Sequence, residues 1–337
     1  MEKQTPIGKI RDYYEVSKHL SDTQKVELKK MLGITADDEK RIKGLENETE
    51  FLIMIYLLGW VKDITAIDES ASPLTGTKTT DFLVETISGR KLSIEVKSSK
   101  NEEIKFSEKL VQDKKAFSEK YGCDAYFAIK LMGHWMLFSN QYILKRNCKI
   151  SLTKDLIKSE LDDIFGERTF LFPKGLEILS IYSNKKKGIG IQNPPYGEAI
   201  KIVFKTFGKK IYSITPGNKD YMFLTYVMEN VQDVMSNQEQ IIQKLDTDRT
   251  LIIEKFNQDF SILKLSCFLM APIKHMANDL GELYTFETFK EIMKGKDKKF
   301  ISRKLILESL YLFDKEDYPI TMFINKNGYR LSDLREE

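Results

Sequence analysis

The composition of this chain excludes several classes of protein. With 337 residues, a hydrophobic share of 42%, a charged share of 31% and a formal net charge of +3, it has the balance of a globular protein of two or three domains and not of a disordered one. Its most apolar run, Phe51 to Trp60, has about half of the ~20 residues that cross a bilayer, so we expect a cytoplasmic protein with no membrane partner.

The first 45 residues predict a helical extension. In the segment Asp22 to Leu32, apolar side chains form only a narrow stripe, which is typical of a solvent-exposed helix, and Gly33 ends it. We therefore assign residues 1–45 to an accessory N-terminal domain.

Residues 46–150 predict a mixed α/β core. Acidic residues from Glu46 to Glu50 lead into an apolar run that ends at Gly59, a pattern typical of a helix with an acidic first turn. Two strands joined by a hairpin turn follow, and after them a helix and two further strands. Their predicted bounds are Asp81–Thr86, Lys91–Lys97, Ser107–Lys120, Ala125–Leu131 and Trp135–Phe138.

Beyond residue 150 the pattern is less regular. We assign residues 151–230 to a mixed α/β segment and residues 231–337 to a mainly helical domain, with Glu229 to Met270 mostly helical. Near the C-terminus, a helix from Phe300 to Tyr311 precedes a hairpin that pairs Ile320–Ile324 with Tyr329–Leu331. A helix followed by a hairpin is the order of a winged helix, and a small helical dimerisation domain is the alternative.

Basic residues cluster at several places where they could meet DNA phosphates. Solvated loop lysines are the favoured interpretation of any single cluster, with phosphate contacts as the alternative. The clusters are Lys185 to Lys187, Lys209 with Lys210, the lysines between Lys294 and Lys299, and Arg303 with Lys304.

Two acids and a lysine on the predicted hairpin suit the hydrolysis of a phosphodiester. Asp81 begins one strand and Glu95 lies near the end of the next, so cross-strand pairing brings both carboxylates to one edge of the sheet. Lys97 follows Glu95 by two residues and lies on the same face. The carboxylates would bind a divalent ion, Lys97 would orient the attacking water, and the carbonyl of Val96 would be a further oxygen ligand.

The metal would be bound by oxygen. The three cysteines and three histidines are scattered and form no CxxC pair, which argues against a zinc site. The alternative to a metal site is that Glu95 and Lys97 belong to the polar face of an exposed strand. The apolar neighbours Phe82, Ile94 and Val96 instead indicate buried strands in which only a few positions are acidic. Carboxylate ligands favour Mg2+, with Mn2+ as a substitute.

The order and spacing of these elements resemble the catalytic core of the PD-(D/E)xK nucleases, in particular the archaeal Holliday junction resolvases and the related restriction nucleases. The resemblance covers residues 44–138 and implies a restriction-endonuclease-like α/β fold, in which helices flank a mixed central sheet. Thr80 stands where the family name puts proline, a substitution that leaves the carboxylate in place. The matching motifs are Thr80-Asp81-Phe82-Leu83-Val84, Leu92-Ser93-Ile94-Glu95-Val96-Lys97 and Ala128-Ile129-Lys130.

The resemblance also implies further site residues. In the family a helix glutamate typically follows a glycine by four residues, and Gly44 and Glu48 have that spacing, with Glu50 and then Glu46 as alternatives. This glutamate would complete the metal shell or orient its waters. Gln112, on the helix after the lysine strand, stands where several such nucleases place a polar active-site residue, although a solvent-facing glutamine is an equally good interpretation.

A second motif favours a different chemistry. Asn193-Pro194-Pro195-Tyr196 resembles the catalytic tetrapeptide of amino-group DNA methyltransferases, in which the tyrosine stacks on a flipped base. Such an enzyme also needs a glycine-rich cofactor loop after a strand, and Gly188-Ile189-Gly190 is too close upstream to leave room for the intervening fold. Two consecutive prolines favour a rigid turn instead.

These features predict a Mg2+-dependent DNA endonuclease that forms a homo-oligomer such as a dimer. The chain continues far beyond the core, which favours a role in restriction, phage defence or a mobile element over that of a bare resolvase. The alternatives are a structure-specific nuclease like the Holliday junction resolvases and a nuclease-fold protein that binds DNA or a partner without cutting. The presence of all four residues of the motif, Glu48, Asp81, Glu95 and Lys97, argues against the last.

Overall fold

A computed structural model describes residues 13, 16–17, 20–67, 78–225, 227, 239–257, 260–279, 302–324 and 327–334. The chain divides into two compact units, the first made of residues 1–166 and 273–298 and the second of residues 167–272 and 299–337. Within the described ranges, no helix is both long enough and apolar enough to span a membrane.

In the continuously described part of the chain from residue 20, helices α1 (Asp22–Met31) and α2 (Ala36–Leu58) precede the first sheet. Ser21 caps α1, because its hydroxyl accepts a hydrogen bond from the Gln24 amide while the Gln24 side chain accepts one from the Ser21 amide. Helix α2 begins well before the predicted start at Glu46, so the prediction that Glu46 to Glu50 form its first turn is wrong. The glutamates of this segment lie in the middle of a 23-residue helix, where its dipole does not account for them.

The first unit contains a five-stranded mixed sheet in the order β1-β2-β3-β5-β6. All neighbours are antiparallel except β3 and β5, whose parallel pairing requires a crossover that helix α3 (Glu108–Lys120) provides. A two-stranded sheet of β4 and β7 accompanies it. The strands are β1 (Val61–Ala66), β2 (Phe82–Thr86), β3 (Lys91–Ser99), β4 (Glu103–Lys105), β5 (Asp124–Leu131), β6 (His134–Ser139) and β7 (Lys149–Ser151).

Helices α2 and α3 lie on opposite faces of strand β3. On one face the Asn47 side-chain amide of α2 donates to the Ser98 hydroxyl over 2.9 Å, and on the other the Ser118 hydroxyl of α3 hydrogen-bonds that of Ser93. The middle of β3, from Leu92 to Val96, is therefore buried on both sides. The predicted arrangement of helices flanking a mixed sheet is confirmed.

The core beside α3 is apolar and includes the side chains of β5 and β6. Val111 of α3 packs against this cluster, and Ser107 caps the helix by accepting from the Leu110 amide. The buried members include Phe127, Ile129 and Phe138. The unit is completed by short helices α4 (Asn140–Lys145), α5 (Leu152–Asp155) and α6 (Leu161–Phe165) and by the 3-10 turn Leu156–Lys158.

The second unit is dominated by strands in its described residues. One sheet has the order β10-β11-β9-β14-β13, with β12 paired to β11, and another has the order β15-β8-β16-β17. Its helices are α7 (Leu265–Asp279), which continues into the first unit, and α8 (Arg303–Lys315). The strands are β8 (Thr169–Pro173), β9 (Leu176–Ser183), β10 (Gln192–Asn193), β11 (Gly197–Thr206), β12 (Lys209–Ile214), β13 (Glu239–Lys244), β14 (Arg249–Lys255), β15 (Phe260–Lys264), β16 (Thr321–Ile324) and β17 (Asn327–Arg330).

The predicted mainly helical C-terminal half is therefore wrong for the described residues. The segment predicted as helical from Glu229 to Met270 contains β13, β14 and β15. A turn at Asp246 explains the difference, because its carboxylate accepts hydrogen bonds from the amides of Asp248 and Arg249 and reverses the chain between β13 and β14. The β-branched residues Thr250, Ile252 and Ile253 then favour a strand.

The C-terminal helix and hairpin are both present, but a winged helix is not confirmed. Strands β16 and β17 pair as a hairpin, and β16 also pairs with β8, so the hairpin is part of a four-stranded sheet and not a free wing. Buried Asp314 of α8 accepts hydrogen bonds from the amides of Ile320 and Ser332 and so ties the helix to the hairpin. The predicted lysine cluster from Lys294 to Lys299 lies outside the described residues.

The proline motif forms a turn. Asn193 and Gly197 pair across the β10–β11 hairpin, and the Tyr196 amide donates to the Asn193 carbonyl over 2.8 Å. This geometry agrees with the rigid turn expected from consecutive prolines.

Candidate active site

The register of the β2–β3 hairpin brings the two predicted acids together. Phe82 pairs with Ile94, and the same antiparallel register places Asp81, at the entrance to β2, directly opposite Glu95. Directly opposed residues project their side chains from the same face, with Cβ atoms about 5 Å apart. The hairpin turn at Gly89, whose φ of +82° suits glycine, fixes this register.

Both carboxylates are buried. Asp81 is 8% exposed and Glu95 is 3% exposed. The Asp81 Oδ2 atom accepts a hydrogen bond from the Val96 amide over 2.7 Å, which anchors this carboxylate to β3. Within one residue of a sheet, the N–H and C=O groups point towards the same neighbour, so the Val96 carbonyl also faces the Asp81 side.

Two lysines neutralise the Glu95 carboxylate. The Lys97 ammonium lies 2.7 Å from Oε1, and the Lys114 ammonium lies 2.5 Å from Oε2. Lys97 was predicted from the motif, and Lys114 was not. Lys114 belongs to α3 and also donates to the Thr79 carbonyl, just before Asp81.

The sequence does contain a signal for Lys114. The buried residues of α3 are Val111, Lys114, Phe117 and Ser118, whose spacing defines one helix face. A lysine on the apolar stripe of a helix needs a buried acid as partner, because an unpaired buried charge is costly. That criterion selects Lys114 from the lysines of α3.

Burial and repulsion disturb the ionisation of Asp81. Burial first, and then the nearby Glu95 carboxylate, raise the pKa of Asp81 from 3.8 to about 6, against the opposing effects of Lys97, the Val96 amide and Lys114. Burial opposes the charge on Lys97, but Glu95, Asp81 and Glu48 outweigh it, so the pKa of Lys97 is raised and the ammonium stays protonated. The site therefore combines a protonated lysine with two buried carboxylates whose negative charges repel each other.

We predict that Asp81→Asn stabilises the metal-free protein at alkaline pH. Because the pKa of Asp81 is raised to about 6, the folded protein binds the additional proton between pH 3.8 and about 6, and stability is lost as the pH rises through this window. Two pKa units correspond to about 3 kcal/mol, which is the upper limit for the gain of the variant at pH 8. Urea unfolding of the variant and the parent protein in EDTA at pH 8 and pH 4.5 measures this gain. Equal free energies of unfolding at pH 8 would contradict the raised pKa of Asp81.

The helix glutamates differ in their surroundings. Glu50 is buried, with Oε2 lying 2.5 Å from the Lys130 ammonium and Oε1 accepting from the Trp135 indole N–H over 3.2 Å. Glu48 is half-buried and is one of the charges that raise the pKa of Lys97. The structure therefore brings Glu48 towards the Lys97 side of the site and uses Glu50 in a buried ion pair.

Gln112 lies on another side of α3. It is exposed and lines a depression of about 410 Å3 together with Lys105, Glu108 and Asn147. Two residues along a helix are separated by about 200°, so Gln112 and the buried Lys114 face in different directions. The role predicted for Gln112 stays a prediction.

The donor set of the site fits a hard divalent cation. Asp81 and Glu95 offer carboxylate oxygens on one face, and the Val96 carbonyl is directed to the same edge. Across the part of the chain that the structure describes, no three acidic, histidine or cysteine side chains come close enough to hold a metal ion together, so Glu48 does not complete such a group. An ion here would take its other ligands from water or from substrate phosphate, as Mg2+ commonly does.

The comparisons with known proteins agree with the assignment of this core. The family model described as archaeal Holliday junction resolvase (hjc) matches residues 64–169, a segment that contains Asp81, Glu95, Lys97 and Lys114. The solved structure of Archaeoglobus fulgidus Hjc, a Holliday junction resolvase from an archaeal hyperthermophile, is 25% identical, covers 29% of this chain and 74% of its own, and has a TM-score of 0.25. No curated protein sequence matches the chain. Residues 64–169 thus resemble an archaeal Holliday junction resolvase, and this match supports a resolvase-like nuclease core in the segment.

Proposed function

We propose that this protein is a metal-dependent endonuclease that hydrolyses phosphodiester bonds in branched DNA. The observation that carries the proposal is the buried Asp81–Glu95 pair with Lys97 on the same face of β3, inside a segment that matches a junction resolvase family. The cytoplasmic location expected from the sequence is part of the proposal.

The residues of the site have different roles in the proposed hydrolysis. Asp81, Glu95 and the Val96 carbonyl would hold Mg2+, which supplies a polarised water and stabilises charge on the phosphate. Lys97, whose side chain is 37% exposed, remains able to reach water and substrate from its position beside Glu95. Its ammonium orients the attacking water and stabilises the developing negative charge. Glu48 would act through this lysine and through waters of the site.

Branched DNA is the first substrate to test. We expect the purified protein to cut a four-way junction with Mg2+ or Mn2+, to be inactive in EDTA, and to cut a linear duplex of the same arm sequences far more slowly. Labelled four-way junction, linear duplex, single-stranded and base-modified DNA, incubated with each metal, measure this. Binding of the junction without cleavage under any of these conditions would indicate a non-cleaving DNA-binding protein instead.

A role in restriction, phage defence or a mobile element is the second candidate. It is favoured by the second compact unit, since the family model ends at residue 169 while the chain continues with two more sheets. Cleavage of linear DNA that depends on sequence or base modification would favour this role. In either case we propose a homodimer, which light scattering of the purified protein tests.

A further inference from the structure

Lys114 is an unusual residue for the interior of a protein. Its side chain is only 9% exposed, whereas lysines are almost never buried unless their charge is paired. It projects from the apolar face of α3, between Val111 and Phe117, towards strand β3. Its placement therefore depends on the acid that it meets there.

The ammonium of Lys114 joins three segments of the active site. It lies 2.5 Å from Glu95 Oε2 on β3 and donates to the Thr79 carbonyl, two residues before Asp81. Helix α3 thereby holds both the strand that carries one carboxylate and the segment that carries the other. The Lys114 ammonium thus contacts both segments that carry the carboxylates, whose facing is set by the β2–β3 register.

The two lysines at Glu95 differ in what they can reach. Lys97 binds Oε1 and is 37% exposed, whereas Lys114 binds Oε2 and is 9% exposed. Substrate can approach the first, and the second is enclosed by the protein. The Glu95 carboxylate therefore has Oε1 on the solvent-accessible side of the site and Oε2 on the enclosed side.

We propose that Lys114 is a positioning residue: its buried ammonium holds the Oε2 atom of Glu95 in place, so that Asp81 and Glu95 present their other oxygens to a divalent ion from the solvent-accessible side. This proposal rests on the proposed nuclease function. It extends that function by giving the two ammonium groups at Glu95 different roles. That of Lys97 acts on the reaction, and that of Lys114 holds the Glu95 carboxylate in place.

The charge of Lys114 also sets the response of the protein to metal. Without this ammonium, the buried Glu95 carboxylate loses one of its two counter-charges in the metal-free protein and keeps only Lys97, so the fold becomes less stable. A divalent ion restores positive charge at the same pair and is attracted more strongly when a competing cation is absent. The gain in Tm on adding Mg2+ should therefore be larger for Lys114→Met than for the parent protein.

The test compares Lys114→Met with the neighbouring Lys115→Met by thermal unfolding in EDTA and in saturating Mg2+. Lys115 pairs with Glu119 on the outer side of α3 and serves as the matched control, with a metal response equal to that of the parent. For Lys114→Met we expect a lower Tm in EDTA and a larger Mg2+-dependent increase. A Mg2+-dependent increase in Tm equal to or smaller than that of the parent protein would overturn the proposal. Loss of packing alone would lower the Tm in EDTA and the Tm in Mg2+ equally and leave their difference unchanged.

A double-mutant cycle keeps the proposal testable if Lys114→Met is too unstable to titrate. Adding Glu95→Gln to Lys114→Met removes the buried charge that has lost its enclosed partner, so the Tm of the double variant in EDTA should exceed that of Lys114→Met alone. A Tm that falls further would overturn the proposal. Neither measurement uses DNA, so a protein without nuclease activity would refute the proposed function and leave this test intact.

Cleavage kinetics give the last readout. Because the enclosed Lys114 does not touch DNA, Lys114→Met should lower kcat by about 10- to 100-fold, as for other groups that orient metal ligands, with little change in KM for the junction. An increase in KM with unchanged kcat would instead make Lys114 a DNA-binding residue and overturn the positioning role.

Discussion

Replacing Asp81 with alanine should abolish DNA cleavage and leave the protein folded. The variant loses one of two carboxylates that face each other across the β2–β3 hairpin, and with it a ligand that the proposed function assigns to the divalent ion. Several kcal/mol of transition-state stabilisation depend on such an ion, so we expect a loss of at least about 1000-fold in the single-turnover rate.

The control for this variant is its stability. Removing Asp81 also removes a carboxylate whose pKa burial and Glu95 have raised, so the unfolding transition in EDTA should be preserved at pH 8. Lys97→Ala should give a comparable loss of activity that added metal does not restore, because lysine is not a ligand. Cleavage by Asp81→Ala at the parent rate would refute the assignment of the active site.

The second large effect concerns Glu50 and Glu48, which lie two residues apart on α2 and should give opposite phenotypes. Glu50→Ala should destabilise the protein by about 3–5 kcal/mol, because it leaves the Lys130 ammonium without its buried partner and the Trp135 indole without its acceptor. Glu48→Ala should change stability by less than about 1 kcal/mol and reduce cleavage by about 10- to 100-fold.

Chemical denaturation and single-turnover cleavage of the two variants, measured side by side, separate these roles. Glu50→Gln is the matched control for Glu50→Ala, since its side-chain oxygen can still accept from the indole. If Glu48→Ala retains full activity while folded Glu50→Ala loses it, the two glutamates must be exchanged in the site.

The catalytic hairpin could be predicted because its determinants are local. Alternating apolar residues, a Ser88-Gly89 turn and the spacing of Asp81 and Glu95 define the strands and their register without reference to the rest of the chain. The same holds for α3, whose cap at Ser107 is visible in the sequence.

Other parts depend on tertiary contacts that the local pattern does not reveal. Strand β1 is an edge strand whose six residues are all exposed or half-buried, with an irregular register at Val61 and Asp63, so its sequence shows no clear alternation. The apolar stripe of α3 marks Lys114 as a buried lysine, but its pairing with Glu95 requires the crossover of α3 onto β3, which joins residues far from the motif. In the second unit, the apolar residues near Ile241 and Ile252 fit a helix and a strand equally well until the turn at Asp246 is recognised.

The mixture of pairings in the first sheet has a consequence for the way the site assembles. Strands β2 and β3 are adjacent in sequence, whereas β3 and β5 meet only after α3 has crossed the sheet. Hairpins form within about 1–10 μs, and contacts that close longer loops are slower. We therefore expect Asp81 and Glu95 to meet early during folding, while water and salt still screen their repulsion. The later docking of α3 both brings Lys114 to Glu95 and removes water from the two carboxylates. We therefore expect the rate of this docking step to depend on the charges at the site.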